Sequence, residues 1–259
     1  MSPAHYQIGV ISPEQFVAEH TFAYIIKGEM HLYDGSKTFI LKSGECGLAR
    51  KNHLLRFKKE KENGELEKIF VFFDEQFLRA FQKKHQPVIE KFQSDETTLF
   101  LPHNNLLPNF VQSLLPYYDH GKISEPFSDL KREELLVILL QAQTELAGLF
   151  FDYGIPQKIN IEEFMNRNYK FNVQIERFAY LTGRSLSAFK RDFKHVFNDT
   201  PSHWLVQRRL QEAYFLIYKK NKKPSEIYLE LGFETLPHFS YAFKKQFGMT
   251  PTKVAEQKK

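Results

Sequence analysis

Residues 183–197, GRSLSAFKRDFKHVF, and residues 232–247, GFETLPHFSYAFKKQF, decide the reading of this chain. Phe189, Phe193 and Phe197 recur fifty positions later as Phe239, Phe243 and Phe247, and Thr200-Pro201 recurs as Thr250-Pro251. Phe178 and Gly183 match Ile227 and Gly232 at an offset of forty-nine, so one residue is added between the glycine and the first Phe of the second copy. A repeat of this period marks one supersecondary unit used twice. Each copy reads helix, glycine turn, helix, which predicts a helix-turn-helix and a reader of DNA.

In the first copy Gly183 suits the sharp turn, and Ser185 is placed to cap the helix that follows. Phe189, Phe193, Val196 and Phe197 form the predicted buried stripe of that helix. Ser187, Lys190, Arg191 and Lys194 fall away from it. A buried stripe opposite a hydroxyl and cations lets a helix pack on its scaffold and enter a major groove. Arg191 suits the two acceptors of a guanine, and Lys190 suits a base or a phosphate. In the second copy Leu236, Ser240 and Tyr241 occupy the reading face, with Lys244 and Lys245 set for phosphates. Pro237 fits only the first turn of its helix. Between the copies, residues 202–218 predict a rod about 25 Å long. The lysines of residues 219–223 should face phosphates. Two readers so spaced could enter successive grooves, about 34 Å apart.

Charge supports this division. Residues 157–259 hold 19 Lys+Arg against 10 Asp+Glu, or +9, whereas residues 1–156 hold 17 against 21, or −4. A basic third behind an acidic front suits a nucleic-acid module joined to something else. The single cysteine, Cys46, excludes an internal disulfide framework and fits a reducing cytoplasm. It follows a turn and reads as a small core residue, not a nucleophile. The sequence shows no signal-peptide pattern and no run of about 18 apolar residues, so no membrane partner is expected.

The front is rich in strands. Apolar runs at residues 22–26, 30–33, 37–41, 46–49, 54–58 and 68–73 are separated by turn residues, with Asp34-Gly35 as a hairpin turn, a charged tip at residues 60–67 and the last run as the central strand. Residues 24–29, 41–46 and 48–53 resemble the sensor half of a cupin barrel. The front histidines (His5, His20, His31, His53, His85, His103 and His120) form no His-x-His pair and have no carboxylate at cupin spacing, which speaks against a metal site. No catalytic residue and no cofactor are expected. Residues 74–127 turn helical and aromatic and suit either a cover for the barrel or a partner surface. Residues 128–153 predict one apolar helix, capped by Ser128 or Asp129 and stopped by Gly154 and Pro156, with a face for the core and for a homodimer. The expected fold is thus α+β: an N-terminal cupin-like β-barrel with a helical extension, then an all-α domain with two helix-turn-helix units. The division is residues 1–127, a connecting segment 128–156, and residues 157–259.

The resemblance becomes specific in the C-terminal third. Gly183 with Ser185, Phe189 with Arg191, Phe193-Lys194, Thr200-Pro201, Arg208 with Ala213, Leu231-Gly232-Phe233, Phe239, Phe243-Lys244-Lys245, Phe247-Gly248 and Thr250-Pro251 together resemble the DNA-binding domain of the AraC/XylS transcription regulators. The resemblance covers about a hundred residues. It implies seven helices, double-stranded DNA and RNA polymerase as partners, and an N-terminal domain answering to a small molecule or a partner protein. The layout also resembles the type III secretion activators of that family. Three departures stand out: Tyr228 replaces a usual alanine, Tyr241 a frequent arginine, and Val254-Ala255 the usual aromatic-basic ending. They predict a first unit that carries most base specificity and a more permissive second. The competing reading is a ligand- or metal-binding cupin, possibly an enzyme, with an accessory helical domain.

Overall fold

A computed structural model of the chain describes residues 5–8, 15–58, 66–94, 96–102, 104–119, 122–123 and 125–257. His103, His120 and most of the charged tip at residues 60–67 lie outside the described residues. The chain forms two compact units, residues 1–154 and 155–259.

In chain order the first unit contains β1 (His5–Ile8), β2 (Phe16–Val17), β3 (His20–Lys27), β4 (Glu29–Tyr33), β5 (Thr38–Lys42), β6 (Cys46–Ala49), β7 (His53–Leu54), β8 (Arg56–Lys58) and β9 (Glu67–Phe73). Then come α1 (Glu75–His85), β10 (Thr98–Phe100), α2 (Leu106–Leu114), β11 (Tyr118–Asp119), β12 (Lys122–Ile123), α3 (Glu125–Ala142) and α4 (Leu146–Phe150). Seven strands form one sheet in the order β10-β6-β3-β9-β1-β12-β11, with β9 at its centre. β4 lies between β5 and β8 in a second sheet, and β2 pairs with β7.

The expected cupin-like barrel does not form. Among the described residues no sheet closes: the large sheet ends at β10 on one side and β11 on the other. Its two faces explain why. Phe22 and Tyr24 of β3 and Ile69, Val71 and Phe73 of β9 point into a core shared with α1, α2, α3 and α4. The alternate residues, Ala23, Ile25, Phe70 and Phe72, pack with Met30, Leu32, Phe39 and Leu41 of the β4–β5 hairpin. Period-two alternation therefore buries both faces, one under helices and one under a small sheet. A sheet covered in this way needs no closure to bury its apolar surface.

The hairpin turn sits where Asp34-Gly35 predicts it. Asp34 Oδ1 accepts from the backbone N–H of Ser36 at 2.8 Å and of Lys37 at 2.9 Å. Cys46 is buried, and burial pushes its thiol up to about 11, so it stays protonated at neutral pH. His31 pairs with Glu29 at 2.9 Å and His85 with Glu133 at 2.7 Å. No group of three metal-ligating side chains occurs among the described residues.

The single helix expected over residues 128–153 is two helices. α3 starts earlier, at Glu125, and ends at Ala142; residues 143–145 turn, and α4 follows. A 26-residue rod would run about 39 Å. The turn instead keeps Leu146, Ala147, Leu149 and Phe150 in the same core as Leu135, Leu136 and Leu139. Ser128 and Asp129 therefore lie inside α3 and do not cap it; Asp129 pairs with Arg132, which also holds Asp74.

His20 ties acid sensitivity to this unit. It is buried, stacks edge-on against Phe150 at 5.4 Å, and accepts weakly at Nδ1 from the Lys51 N–H at 3.4 Å. Burial, followed by the nearby charges of Lys51, Arg50 and His53, lowers its pKa to about 3. The folded chain thus holds His20 neutral. Its contribution is fully present above the unfolded value of about 6.5 and is lost as pH falls toward 3. Wild-type protein should lose about 2 kcal/mol more than His20→Phe between pH 7 and pH 5. Urea unfolding at the two pH values measures this. Equal losses in both proteins would contradict it.

Candidate nucleic-acid interface

The second unit is helical throughout: α5 (Ile161–Asn168), α6 (Ile175–Leu181), α7 (Leu186–Phe197), α8 (Pro201–Lys220), α9 (Pro224–Ile227), α10 (Leu236–Phe247) and α11 (Pro251–Glu256). The seven helices form two helix-turn-helix units, α6–α7 and α9–α10, joined by α8. Local chemistry sets the boundaries. Asn160 caps α5, accepting from Glu162 N–H at 2.9 Å and Glu163 N–H at 3.1 Å. Ser185, Thr235 and Thr250 cap α7, α10 and α11 in the same way.

The turn glycines are structural requirements. Gly183 has φ +66° and Gly232 φ +81°. A Cβ on Gly183 would stand inside 3.0 Å of the Gln157 and Lys158 backbone, and one on Gly232 inside 3.0 Å of the Lys170 carbonyl and the Arg209 guanidinium. Both conformation and space exclude a side chain. Thr182, fully buried beside Gly183, donates its hydroxyl to the Phe178 and Ala179 carbonyls, both at 3.0 Å.

α7 buries Phe189 and Phe193 completely. Phe197 is half-buried and packs on Trp204 of α8 at 4.6 Å. Val196 departs from the predicted stripe and is 42% exposed. Ser187, Lys190, Arg191 and Lys194 are exposed, as is the cap Ser185. Ser187, Arg191 and Lys194 lie at four- and three-residue steps and so share one helix face. Arg191 is 77% exposed, and its Nε and Nη2 donate to Asp192 Oδ1 at 3.3 and 3.2 Å. Arg184 donates to the other carboxylate oxygen at 3.1 Å and, with Arg191, holds the Asp192 carboxyl below the usual carboxylate range. Lys194 Nζ donates to the Asn198 carbonyl at 2.9 Å, at the end of the helix.

In α10, Phe239 and Phe243 are fully buried. Tyr241 is 70% exposed, and Lys244 and Lys245 are exposed. Leu236 and Ser240 are half-buried, with Leu236 packed on the core of this unit. The partner helix α9 is a single turn ending at Ile227, and Tyr228 stands just beyond it, partly buried on the same core. The second unit therefore keeps the scaffold of the first with a shorter support helix.

One residue that organises this region escaped the sequence reading. Arg209 is buried, and its guanidinium donates to three backbone carbonyls: Tyr169 at 2.7 Å, Phe171 at 2.7 Å and Gly232 at 3.0 Å. It ties the segment leading into the first unit to the turn of the second. Its neighbour Arg208 instead lies over the Tyr169 ring at 4.7 Å. The signal was present in the spacing. Pro201, Leu205, Arg209, Ala213 and Ile217 recur every four residues, and all are buried, so Arg209 interrupts an otherwise apolar stripe.

Two duplicated helix-turn-helix units, each with a helix whose polar face is turned outward, define the architecture of a DNA-binding regulator. Family comparison agrees, and it also covers the N-terminal unit. Residues 20–149 match the ExsA N-terminal regulatory domain and residues 178–257 match a helix-turn-helix domain. The chain belongs to the AraC/XylS family of transcription regulators. The virulence regulon transcriptional activator VirF of Yersinia enterocolitica is 23% identical over 249 residues, covering 92% of this chain and 90% of its own. The HTH-type transcriptional regulator ExsA of Pseudomonas aeruginosa is 24% identical over 242 residues, covering 90% and 85%. No described helix is long and apolar enough to cross a membrane.

Proposed function

We propose that this protein activates transcription by laying α7 and α10 in successive major grooves on one side of double-stranded DNA. The observation that carries the reading is the outward face of α7, where Ser187 and Arg191 stand opposite fully buried Phe189 and Phe193. Arg191 reads a guanine, Ser187 contacts a base edge, and Lys190 takes a base or phosphate. Ser185 stands at the entry of the helix, where its N-terminal turn meets the DNA. In α10, Tyr241 and Leu236 meet thymine methyls, Ser240 adds a hydroxyl contact, and Lys244 and Lys245 bind phosphates. Lys194 also meets a phosphate when it leaves the Asn198 carbonyl. The 20-residue α8, about 30 Å long, supports the spacing of two readers by one helical turn.

The activator role and contact with RNA polymerase rest on family membership, since VirF is named a transcriptional activator. Regulation enters through residues 1–127, from a small effector or a partner protein, and residues 128–156 connect the sensor to the reader at 157–259. A homodimer formed through α3 would use the exposed Phe127 and Leu130 near its start, because Leu135, Leu136 and Leu139 are taken by the protomer's own core.

Arg191→Ala should lower affinity for the preferred site by about 1–3 kcal/mol and relax the preference at one base pair. Titration against that site and its single-base variants measures both. Retained preference at every position would overturn the assignment.

A further inference from the structure

We propose that Asp192 is a specificity-determining positioning residue: it holds the Arg191 guanidinium in the orientation that reads a base. The inference rests on the reading of Arg191 given above.

The geometry is a relay anchored in the scaffold. Arg184 is only 8% exposed at its side chain and donates Nη1 to the Ile159 carbonyl at 2.9 Å and the Thr182 carbonyl at 2.7 Å. Its Nε holds Asp192 Oδ2 at 3.1 Å, and Lys158 lies 3.8 Å from the same oxygen. The remaining oxygen, Oδ1, receives both Nε and Nη2 of Arg191. A guanidinium has five N–H donors in a rigid plane. Oδ1 engages the Nε edge. The end-on pair, one N–H on each of Nη1 and Nη2, is left for the N7 and O6 acceptors of a guanine. A long, 77% exposed side chain would otherwise sample many rotamers and lose that freedom on binding. Asp192 is itself suited to a site facing phosphates, because Arg184 and Lys158 offset its charge.

The repeat supplies an internal comparison. At the matching positions of the second copy stand Phe233 for Arg184, Tyr241 for Arg191 and Ala242 for Asp192. The whole relay is absent there, not one member of it. It belongs to the copy that carries a planar, forked reader and is missing from the copy that does not.

The test uses the full-length protein and the duplex most enriched by it from a random pool. The ratio of affinities for that duplex and its single-base variants is measured for wild type, Asp192→Asn, Asp192→Ala and Arg191→Ala, and for each Asp192 change combined with Arg191→Ala. Asp192→Asn keeps size and shape, so it carries the test if Asp192→Ala lowers the unfolding temperature. Both Asp192 variants should lose about tenfold in preference at the base that Arg191 reads, with affinity for random-sequence duplex undiminished. Neither should change the preference further once Arg191 is alanine. Asp192 variants that keep the wild-type preference, or lose it equally in the Arg191→Ala background, would overturn the inference while leaving Arg191 as the reader. An Arg191→Ala protein with unaltered preference would overturn both.

Discussion

Replacing Arg209 by methionine is expected to cost the C-terminal unit about 3 kcal/mol or more. The substitution keeps an unbranched chain in the buried stripe of α8 but removes three hydrogen bonds that the guanidinium donates, to the carbonyls of Tyr169, Phe171 and Gly232. Each hydrogen bond lost from a charged donor costs about 1.5–3 kcal/mol, less where the site can relax. Lysine should recover little of the loss, because a single ammonium lacks the planar fork that reaches carbonyls on separate segments. Trp204 makes the experiment clean. It is the only tryptophan in the chain and packs on Phe193 and Phe197, so its fluorescence follows this unit alone. The Trp204 transition should move to lower denaturant in Arg209→Met. An unmoved transition would mean that Arg209 does not link the two helix-turn-helix units.

Affinity for DNA should fall about a hundredfold between 50 and 200 mM monovalent salt. Four lysines, Lys190, Lys194, Lys244 and Lys245, are exposed on the two reading helices. If each neutralises one phosphate, the slope of log affinity against log salt is about −3.6. A fourfold rise in salt then gives roughly that loss, and the exposed lysines at residues 219–223 make the figure a lower bound. Titration at several salt concentrations reads the slope directly. A slope near zero would contradict DNA binding, and a slope left unchanged by neutral substitutions of the four lysines would locate the contacts elsewhere.

Much of the C-terminal unit is legible in the sequence because its signals are local. Repeated phenylalanines at helical spacing, the turn glycines Gly183 and Gly232, and the caps Ser185 and Thr235 each act within one turn of the chain. Arg209 was legible in principle as the one charge in a four-residue apolar stripe, but its partners are brought together only by the fold. The pairing of Arg191 with Asp192 was hidden for a related reason. Neighbours in a helix point about 100° apart, and only the Arg184 side chain arriving from the turn explains why Asp192 faces Arg191.

The N-terminal unit shows what short-range signals leave open. Asp34-Gly35 and the β-rich runs give strands and a hairpin, yet barrel closure depends on which distant strands pair. β1 joins β9 in parallel across about sixty residues, and no turn signal encodes that. The helices of residues 75–150 cover one face of the sheet, so a sequence pattern that suits a barrel wall equally suits an open, helix-backed sheet. The break at residues 143–145 lies in a stretch whose apolar spacing continues unbroken on both sides.

Selection of bound duplexes from a random pool, run in parallel on wild-type protein and Arg191→Ala, separates one specific reader from two equal ones. The wild-type site should be asymmetric, with two half-sites about 10 base pairs apart. One half, containing a strongly preferred guanine, is sharply defined and the other loosely. Arg191→Ala should lose that guanine and keep the rest. Selection that enriches no sequence, or two equally sharp half-sites unaffected by Arg191→Ala, would contradict it.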